Sequence, residues 1–343
     1  MRVSSSVHQP AGARHVRAPP RRAAPPPPRA GSNGNGASGP APSPHPAQLL
    51  SYLGGAPAAT LEPQANGKAR PAKGDEAAAQ QQAPAGGASK TTLLPVYAPD
   101  EVFVCPEESS CYSQALEKLV FGRPDAPETV VEFGAGDGAP VISALLKTPY
   151  DGACTAFELN ASAAQVARSR AQQFGLGSRY EVRTGCFFEG AASHLEALSP
   201  EDDSSCLISN PPYLPARDPE GLLMPALYGG RDGAELTRQL LSLGFPRAMM
   251  LVSAYSNPVS VLRHAAKEGY GVYDFSAWPL PFGTYSSQPE VRQWISEMKR
   301  RGEAFYSERS GMYLIAGVLF RKRSSDDDWP DLSADVLRVL TAL

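Results

Sequence analysis

The segment best suited to do chemistry is the tetrapeptide Asn210-Pro211-Pro212-Tyr213, which follows a short apolar run. The Asn210 carboxamide oxygen and the Pro211 carbonyl are two hydrogen-bond acceptors, and the successive prolines stop the backbone from turning them inward. A planar NH2 group bound there would give both hydrogens to these acceptors, while the Tyr213 ring stacked on its plane. The pattern predicts a site that aims an amide or aniline-like nitrogen at an electrophile. Its alternative is a strand that ends in a proline-stiffened turn.

A second motif lies upstream, where an apolar strand signal runs into a glycine-rich turn and then a predicted helix from Ala139 to Lys147. Glycines permit a tight turn and let backbone N–H groups approach a ligand closely. Roughly twenty residues further on, a predicted strand ends in Glu158, which is placed to accept from two ribose hydroxyls. We therefore expect a nucleoside-bearing cofactor at residues Glu132, Gly134, Ala135, Gly136, Gly138 and Glu158.

A dinucleotide-binding domain would show the same glycine-rich turn and the same acidic residue. The tetrapeptide that begins at Asn210 distinguishes the two cases, because a hydride-transfer enzyme has no need for a paired carbonyl clamp after the fourth strand. The sequence thus favours another adenosine-bearing cofactor over a nicotinamide.

These residues resemble class I S-adenosylmethionine-dependent methyltransferases, and within them the HemK-like release-factor glutamine methyltransferases, over roughly residues 100–320. The segment 102–109 is similar to the family's Pro-Glu-Thr-Glu core and keeps Pro106 and Glu107. The stretch 225–233 is similar to the segment that follows the family's catalytic tetrapeptide. The resemblance implies S-adenosylmethionine as cofactor and a glutamine side chain of a release-factor-like protein as methyl acceptor, with the acceptor amide held at Asn210, Pro211, Pro212 and Tyr213.

The chain departs from the family at three positions. Cys186 stands where the family has an acidic residue that accepts from the adenine amine, so the resemblance places Cys186 and Phe187 against adenine. Met224 replaces a glutamate, and Tyr255 lies where an acidic strand ending often occurs. Two alternatives follow: an N6-adenine methyltransferase of organellar RNA or DNA, which the tetrapeptide also fits, and a catalytically silent scaffold with the methyltransferase fold.

Charge favours a protein substrate over a nucleic acid. Residues 1–90 carry ten Lys and Arg against three Asp and Glu, so that with −3 for the whole chain the remainder carries about −10. Enzymes that follow a phosphate backbone usually present a basic surface. The five cysteines have no CxxC spacing and no nearby histidine set, so we expect no metal site. No apolar run is long enough to span a membrane.

The first part of the chain has a different composition. Residues 1–61 contain no Asp or Glu, while six arginines lie among Ser, Ala and Pro. This pattern is typical of an organelle transit peptide, and we expect residues 1–90 to be a disordered transit peptide plus linker. A plastid is the favoured location and a mitochondrion the alternative. The alternative to a targeting role is a disordered proline-rich tail.

Strand and helix patterns alternate from residue 129 onward, which predicts a mainly parallel α/β sheet with helices on both faces. The resemblance implies the doubly wound, seven-stranded, Rossmann-like sheet of class I methyltransferases. The predicted strands lie at 129–133, 153–158, 179–183, 206–209, 247–253, 271–276 and 312–320. A lead-in helical segment is expected at 91–128, the methyltransferase domain at 129–323 and a tail helix within 324–343. An enlarged connection at 277–311 is expected to recognise substrate or to cover the cofactor.

Overall fold

A computed structural model describes residues 102–196, 203–325 and 328–343. The predicted transit peptide and linker at 1–90 lie outside the described residues, as does the start of the lead-in segment. The strands are β1 Thr129–Phe133, β2 Ala153–Glu158, β3 Tyr180–Thr184, β4 Ser205–Ser209, β5 Arg247–Ser253, β6 Tyr270–Pro281 and β7 Met312–Lys322. The α-helices are α1 Pro106–Leu116, α2 Ala139–Lys147, α3 Ala161–Gln173, α4 Phe187–Gly190, α5 Ala192–Glu196, α6 Glu235–Leu241, α7 Pro258–Lys267, α8 Pro289–Arg300 and α9 Ser333–Leu340.

Within the described residues the strands form one seven-stranded sheet in the order β3-β2-β1-β4-β5-β7-β6. The pairs from β3 to β5 are parallel, and β7 runs antiparallel to both β5 and β6. The strand order reverses between β1 and β4, which is the point where open α/β sheets bind ligands. The predicted mainly parallel, doubly wound sheet of the Rossmann-like methyltransferase type is confirmed.

Both faces of the sheet are covered, as the apolar strands require. The adjacent residues Val130 and Val131 are both buried, and they belong to separate hydrophobic clusters on opposite faces. Helices α1, α2 and α3 contribute to the first cluster, and α6, α7 and α9 to the second. This covering fixes the carboxyl ends of the parallel strands, from which the site is built.

Two predicted elements differ from the structure. The sequence pattern also predicts a helix at 190–198, whose last two residues lie outside the described residues. The structure has two short helices here, α4 and α5, which are separated at Ala191. Strand β6 continues through Pro281 because it stays paired with β7, with Ala277 opposite Ala316 and Pro281 opposite Met312. The first five residues of the predicted 277–311 connection are therefore strand.

The tail helix α9 packs on the sheet through Val336 and Leu340, both fully buried. Among the described residues, no helix combines the length and the apolar character needed to cross a lipid bilayer.

Candidate active site at the carboxyl edge of the sheet

A cavity of about 410 Å³ lies where β1, β2 and β4 end. Its volume falls within the usual range for small-molecule sites. Its wall includes Gly134 and Gly136 after β1, Glu158 at the end of β2, and the tetrapeptide after β4. The topology thus brings together the two motifs that lie far apart in the sequence.

The glycine-rich turn is held by the end of β2. The backbone N–H groups of Gly134 and Ala135 donate to the Phe157 carbonyl at 3.0 and 3.2 Å, and the Gly136 N–H donates to Glu158 Oε2 at 2.7 Å. Gly134 and Gly136 have φ of +74° and +54°, which explains the choice of glycine. Both line the cavity, where the lack of a side chain lets a ligand approach the backbone closely.

Two other residues of the predicted cofactor set lie behind this wall. A Cβ added at Gly138, which has φ of +72°, would lie 2.9 Å from the Ala167 Cβ. Gly138 therefore allows helix α2 to approach α3. Ala135 is buried in the core. Both residues shape the turn, and their predicted contacts with a cofactor stay predictions.

Glu158 is buried with its carboxylate facing the cavity. Its Oε2 accepts from Gly136, and its Oε1 accepts from the Asn160 N–H at 2.8 Å. Each carboxylate oxygen can accept a further hydrogen bond, since an ionised carboxylate has about four acceptor positions. Glu158 can therefore hold two adjacent hydroxyls of a ligand while it fixes the turn.

Glu132 does not line the cavity, and its predicted cofactor contact stays a prediction. Its carboxyl is buried beneath the turn and accepts from the Tyr180 hydroxyl at 2.6 Å and the Tyr112 hydroxyl at 3.3 Å. Burial raises the pKa of Glu132 to about 8, against the opposing effect of these two hydrogen bonds. Its role is internal, because it joins α1 and β3 to the end of β1.

Cys186 and Phe187 both lie on the wall on the far side of Glu158. The Phe187 ring is buried and packs edge-to-face against Phe133 at 5.3 Å, Phe157 at 5.6 Å and Phe188 at 5.6 Å between centroids. These rings form the apolar end of the cavity, which suits a flat heterocycle. Phe188, which the sequence reasoning did not single out, belongs to the same wall.

All four tetrapeptide residues line the cavity. The Oδ1 of Asn210 is buried and has no hydrogen-bond partner among the described residues. The Tyr213 ring packs on Tyr255 at 5.6 Å, and its hydroxyl lies 3.5 Å from that of Tyr313. Burial raises the pKa of Tyr213 well above its usual value, so its hydroxyl stays protonated. A buried acceptor without a donor is costly, which marks Asn210 as the polar end of the site.

The segment 225–233 lies directly against the tetrapeptide. The Leu214 N–H donates to the Leu227 carbonyl at 2.9 Å, and the Gly229 N–H donates to the Leu214 carbonyl at 3.0 Å. The structure therefore gives this segment a physical task, which is to hold the tetrapeptide backbone in place.

Three segments surround the tetrapeptide end of the cavity: 102–108, 224–228 and 283–286. Phe103 of the first and Tyr285 of the third pack with 5.8 Å between ring centroids. The Leu223 N–H, just before the second segment, donates to Gln288 Oε1 at 3.1 Å, which joins this part of the chain to the start of α8. The part of the enlarged connection that reaches the cavity is thus the short turn 283–286.

Glu108 is the main residue that the sequence reasoning missed. It lies on the cavity wall. Burial raises the pKa of its carboxyl, and the neighbouring Tyr213 and Asn210 side chains oppose that rise. The resemblance drew attention to Pro106 and Glu107, its neighbours. The sequence signal for Glu108 was its position three residues after Cys105, in the first turn of the expected lead-in helix.

Curated relatives match this chain over part of its length. It is 31% identical over 138 residues to a release factor glutamine methyltransferase of Enterococcus faecalis, with 37% of this chain and 45% of the relative covered. For the enzyme of the same description from Deinococcus radiodurans the identity is 34% over 144 residues, with 40% and 46% covered. The chain thus spans less than half the length of these relatives. They confirm the resemblance found in the motifs.

No family model matches the chain. Solved structures with a similar fold include an O-methyltransferase from Bacillus cereus in complex with SAH, at 13% identity and a TM-score of 0.36, with 64% of this chain and 83% of that chain covered. A precorrin-6y C5,15-methyltransferase from Geobacter metallireducens has 10% identity and a TM-score of 0.37, with 67% and 94% covered.

Proposed function

We propose that this protein is an S-adenosylmethionine-dependent methyltransferase that methylates a planar NH2 nitrogen, namely the side-chain amide of a glutamine in a protein. The observation that carries the proposal is the buried Oδ1 of Asn210 on the cavity wall, which has no hydrogen-bond partner in the part of the chain that the structure describes. A substrate N–H donated to this oxygen would remove the cost of a buried acceptor without a partner.

The donor and acceptor set of the cavity fits the proposed cofactor. Glu158 offers two carboxylate oxygens beside the glycine-rich turn, and these oxygens could accept hydrogen bonds from the two hydroxyls of a ribose. The rings around Phe187 supply an apolar wall for adenine. Cys186 gives no charged acceptor there, so we expect adenine to be held by ring contacts and backbone groups.

The chemistry needs alignment more than acid–base catalysis. When bound, S-adenosylmethionine supplies a methyl group on a positively charged sulfur, and the acceptor nitrogen's lone pair displaces that sulfur. Asn210 and the Pro211 carbonyl would accept the two N–H hydrogens and hold the lone pair out of conjugation. The Tyr213 ring would pack on the amide plane. The nitrogen, after gaining the methyl, gives up one hydrogen to solvent as a proton.

A protein acceptor is supported by two independent features. Residues 91–343 carry about −10 in net charge, which opposes a phosphate backbone. The partial relatives are described as release factor glutamine methyltransferases. A release-factor-like protein is therefore the acceptor that we propose to test first.

We also propose that residues 1–90 direct the protein to a plastid, on the strength of the acid-free, arginine-bearing composition of 1–61. A fluorescent fusion to residues 1–90 should enter plastids, and a variant with the six arginines changed to Ala should stay outside. Import into mitochondria alone would replace this location with the alternative.

The acceptor class can be tested by transfer of a labelled methyl group from S-adenosylmethionine. The full chain is incubated with a release factor, with a variant of that factor whose candidate Gln is replaced by Ala, and with adenine-containing RNA and DNA. The proposal predicts label on the release factor, located by peptide mass analysis to a glutamine side chain, and none on the variant. Label on N6 of adenine alone would favour the nucleic-acid alternative. A folded protein that labels none of these and does not bind the cofactor would be the silent scaffold.

A further inference from the structure

The ring of Tyr213 packs against a series of aromatic side chains behind the tetrapeptide. Tyr255, just beyond β5, contacts Tyr213 with 5.6 Å between ring centroids. Phe282, which follows the last residue of β6, stacks on Tyr255 at 5.3 Å with 23° between the ring planes. At this distance nearly parallel rings are offset, which is a preferred arrangement of aromatic pairs. We call Tyr213, Tyr255 and Phe282 the ring stack.

Tyr313 of β7 contacts all three members of the ring stack. Its ring centroid lies 4.6 Å from that of Tyr255 and 5.2 Å from that of Phe282. Its hydroxyl lies 3.5 Å from the hydroxyl of Tyr213. Tyr313 and Tyr255 are both buried. The Tyr213 ring is therefore enclosed by neighbours that restrict its rotation.

The pairing of β6 with β7 brings Phe282 to this point. Leu280 of β6 lies opposite Tyr313 of β7, and Phe282 comes two residues later. The turn 283–286 that follows Phe282 lines the cavity. Phe282 itself is half-buried and lies outside the set of described residues that line the cavity. It therefore acts on the site through its neighbours.

The guanidinium of Arg292, on α8, covers the end of the ring stack that is farthest from the tetrapeptide. Its Cζ lies 3.7 Å from the ring centroid of Phe282 and 4.3 Å from that of Tyr306. A planar guanidinium stacks on aromatic faces and is attracted by the ring quadrupole. The Nη1 atom of Arg292 is buried and has no hydrogen-bond partner in the described part of the chain. The two ring contacts thus fix this side chain.

We propose that Phe282 and Arg292 are positioning residues of the transfer reaction: through Tyr255 they hold the Tyr213 ring at the angle at which it packs on the acceptor amide. This inference rests on the proposed function for its effect on transfer, but the fixed orientation of Tyr213 stands without it. Both residues belong to the enlarged connection 277–311, which thereby acts on transfer from behind the tetrapeptide. Such alignment matters because a misplacement of about 1 Å can cost about a hundredfold in rate.

The Phe282→Leu variant removes the ring and keeps an apolar side chain at a half-buried position. We expect kcat to fall about tenfold, because the acceptor amide loses its alignment, while KM and the cofactor Kd stay at wild-type values. Phe282→Tyr keeps the ring and should keep kcat within about twofold of wild type. The matched control is Phe275→Leu, because Phe275 is a half-buried ring of β6 that packs on the second cluster. This control should leave kcat unchanged.

A double-mutant cycle tests whether Arg292 acts through the ring stack. Arg292→Leu should lower kcat about threefold by the loss of the cation–π contact. In the Phe282→Leu background the same substitution should have no further effect, since residues that act through one contact are not additive. Effects that multiply would overturn the place of Arg292 in the proposal. If Phe282→Leu does not fold, Arg292→Leu takes its place in the comparison with Phe275→Leu.

The experiment combines these kinetics with NMR of the full chain labelled with ¹³C in its tyrosine rings. The Tyr213 ring signals, identified by their loss in Tyr213→Phe, should shift in Phe282→Leu and keep their wild-type positions in Phe275→Leu. Unchanged Tyr213 signals in Phe282→Leu would overturn the proposal, and so would an equal fall of kcat in Phe275→Leu. If wild type transfers no methyl group while its Tyr213 signals respond as expected, the proposed function fails and the positioning of Tyr213 survives.

Discussion

The Ser256 hydroxyl donates a 2.7 Å hydrogen bond to the backbone carbonyl of Tyr213, and both residues are buried. Ser256 follows Tyr255 just beyond the end of β5, and Tyr213 ends the tetrapeptide beyond β4. The neighbouring parallel strands are thus joined above the sheet. Where the family often ends β5 with an acidic residue, this chain uses a ring and a hydroxyl to hold the tetrapeptide.

Replacing Ser256 with Ala should weaken both stability and transfer. The variant leaves the buried Tyr213 carbonyl without this donor, which should lower the free energy of unfolding by about 1–3 kcal/mol. Urea unfolding followed by circular dichroism measures this change. The control Ser242→Ala removes an exposed hydroxyl that contacts His264, and it should cost less than Ser256→Ala. Equal, small losses in both variants would contradict the role given to Ser256.

Gly229 should tolerate no side chain because it touches the tetrapeptide backbone. A Cβ there would lie 2.5 Å from the Tyr213 Cα and 2.7 Å from the Pro212 carbonyl oxygen, both atoms of the main chain. We expect Gly229→Ala to destabilise the protein by about 1–3 kcal/mol and to reduce methyl transfer more than cofactor affinity.

The matched control is Gly221→Ala on the same loop, since nothing lies within 4 Å of a Cβ added at Gly221. Thermal unfolding measures the stability of the two variants, and methyl-transfer assays measure their activity. Wild-type transfer in Gly229→Ala would show that the loop does not position the tetrapeptide.

Trp294 should act on the acceptor rather than on the cofactor. Its indole Nε1 on α8 donates to the Arg231 carbonyl at 2.6 Å, which fixes the loop that supports the tetrapeptide. We expect Trp294→Phe to raise KM for a protein acceptor and to leave the Kd of S-adenosylmethionine unchanged. The control is Trp329→Phe, because Nε1 of Trp329 has no partner within the described part of the chain.

The same Trp294→Phe variant separates the two roles predicted for the enlarged connection. A higher KM with constant cofactor Kd supports substrate recognition. A weaker cofactor Kd with constant KM would instead make the connection a cover for the cofactor.

The stability of the protein should depend on pH through Glu132. Burial raises the pKa of this carboxyl from its usual value of 4.5 to about 8 in the folded state. The folded protein therefore binds more protons than the unfolded chain between these values, so its stability falls as pH rises through this window. In Glu132→Gln the slope of Tm against pH should flatten. A variant with the wild-type slope would assign the pH dependence to other groups.

The sheet was predictable from sequence because its strands are marked by buried apolar residues on both faces. In β1, the consecutive residues Val130 and Val131 are buried in the clusters on opposite faces of the sheet, as expected for a strand that is covered on both sides. The continuation of β6 to Pro281 was not predictable, because two prolines in the four residues Trp278-Pro279-Leu280-Pro281 are typical of a loop. Its pairing with β7 determines the strand.

The site was predictable where the backbone itself carries the signal, at the glycines of the turn and at Asn210 to Tyr213. Glu108 was missed because its place on the cavity wall depends on which elements lie side by side. The surroundings of Glu132 were unpredictable for a related reason. Its position in a motif does not reveal that Tyr112 and Tyr180 surround its carboxyl from below the turn.

The most direct test of the central claim is a comparison of wild type with Asn210→Ala in cofactor binding and in methyl transfer. Calorimetric titration of S-adenosylmethionine into the full chain gives the first, and single-turnover transfer to the identified acceptor gives the second. We predict cofactor affinity equal to wild type within about twofold and transfer slower by about a hundredfold, as expected for a lost group that stabilises the transition state. Transfer by Asn210→Ala at the wild-type rate would contradict the claim that the unpaired oxygen of Asn210 holds the acceptor nitrogen.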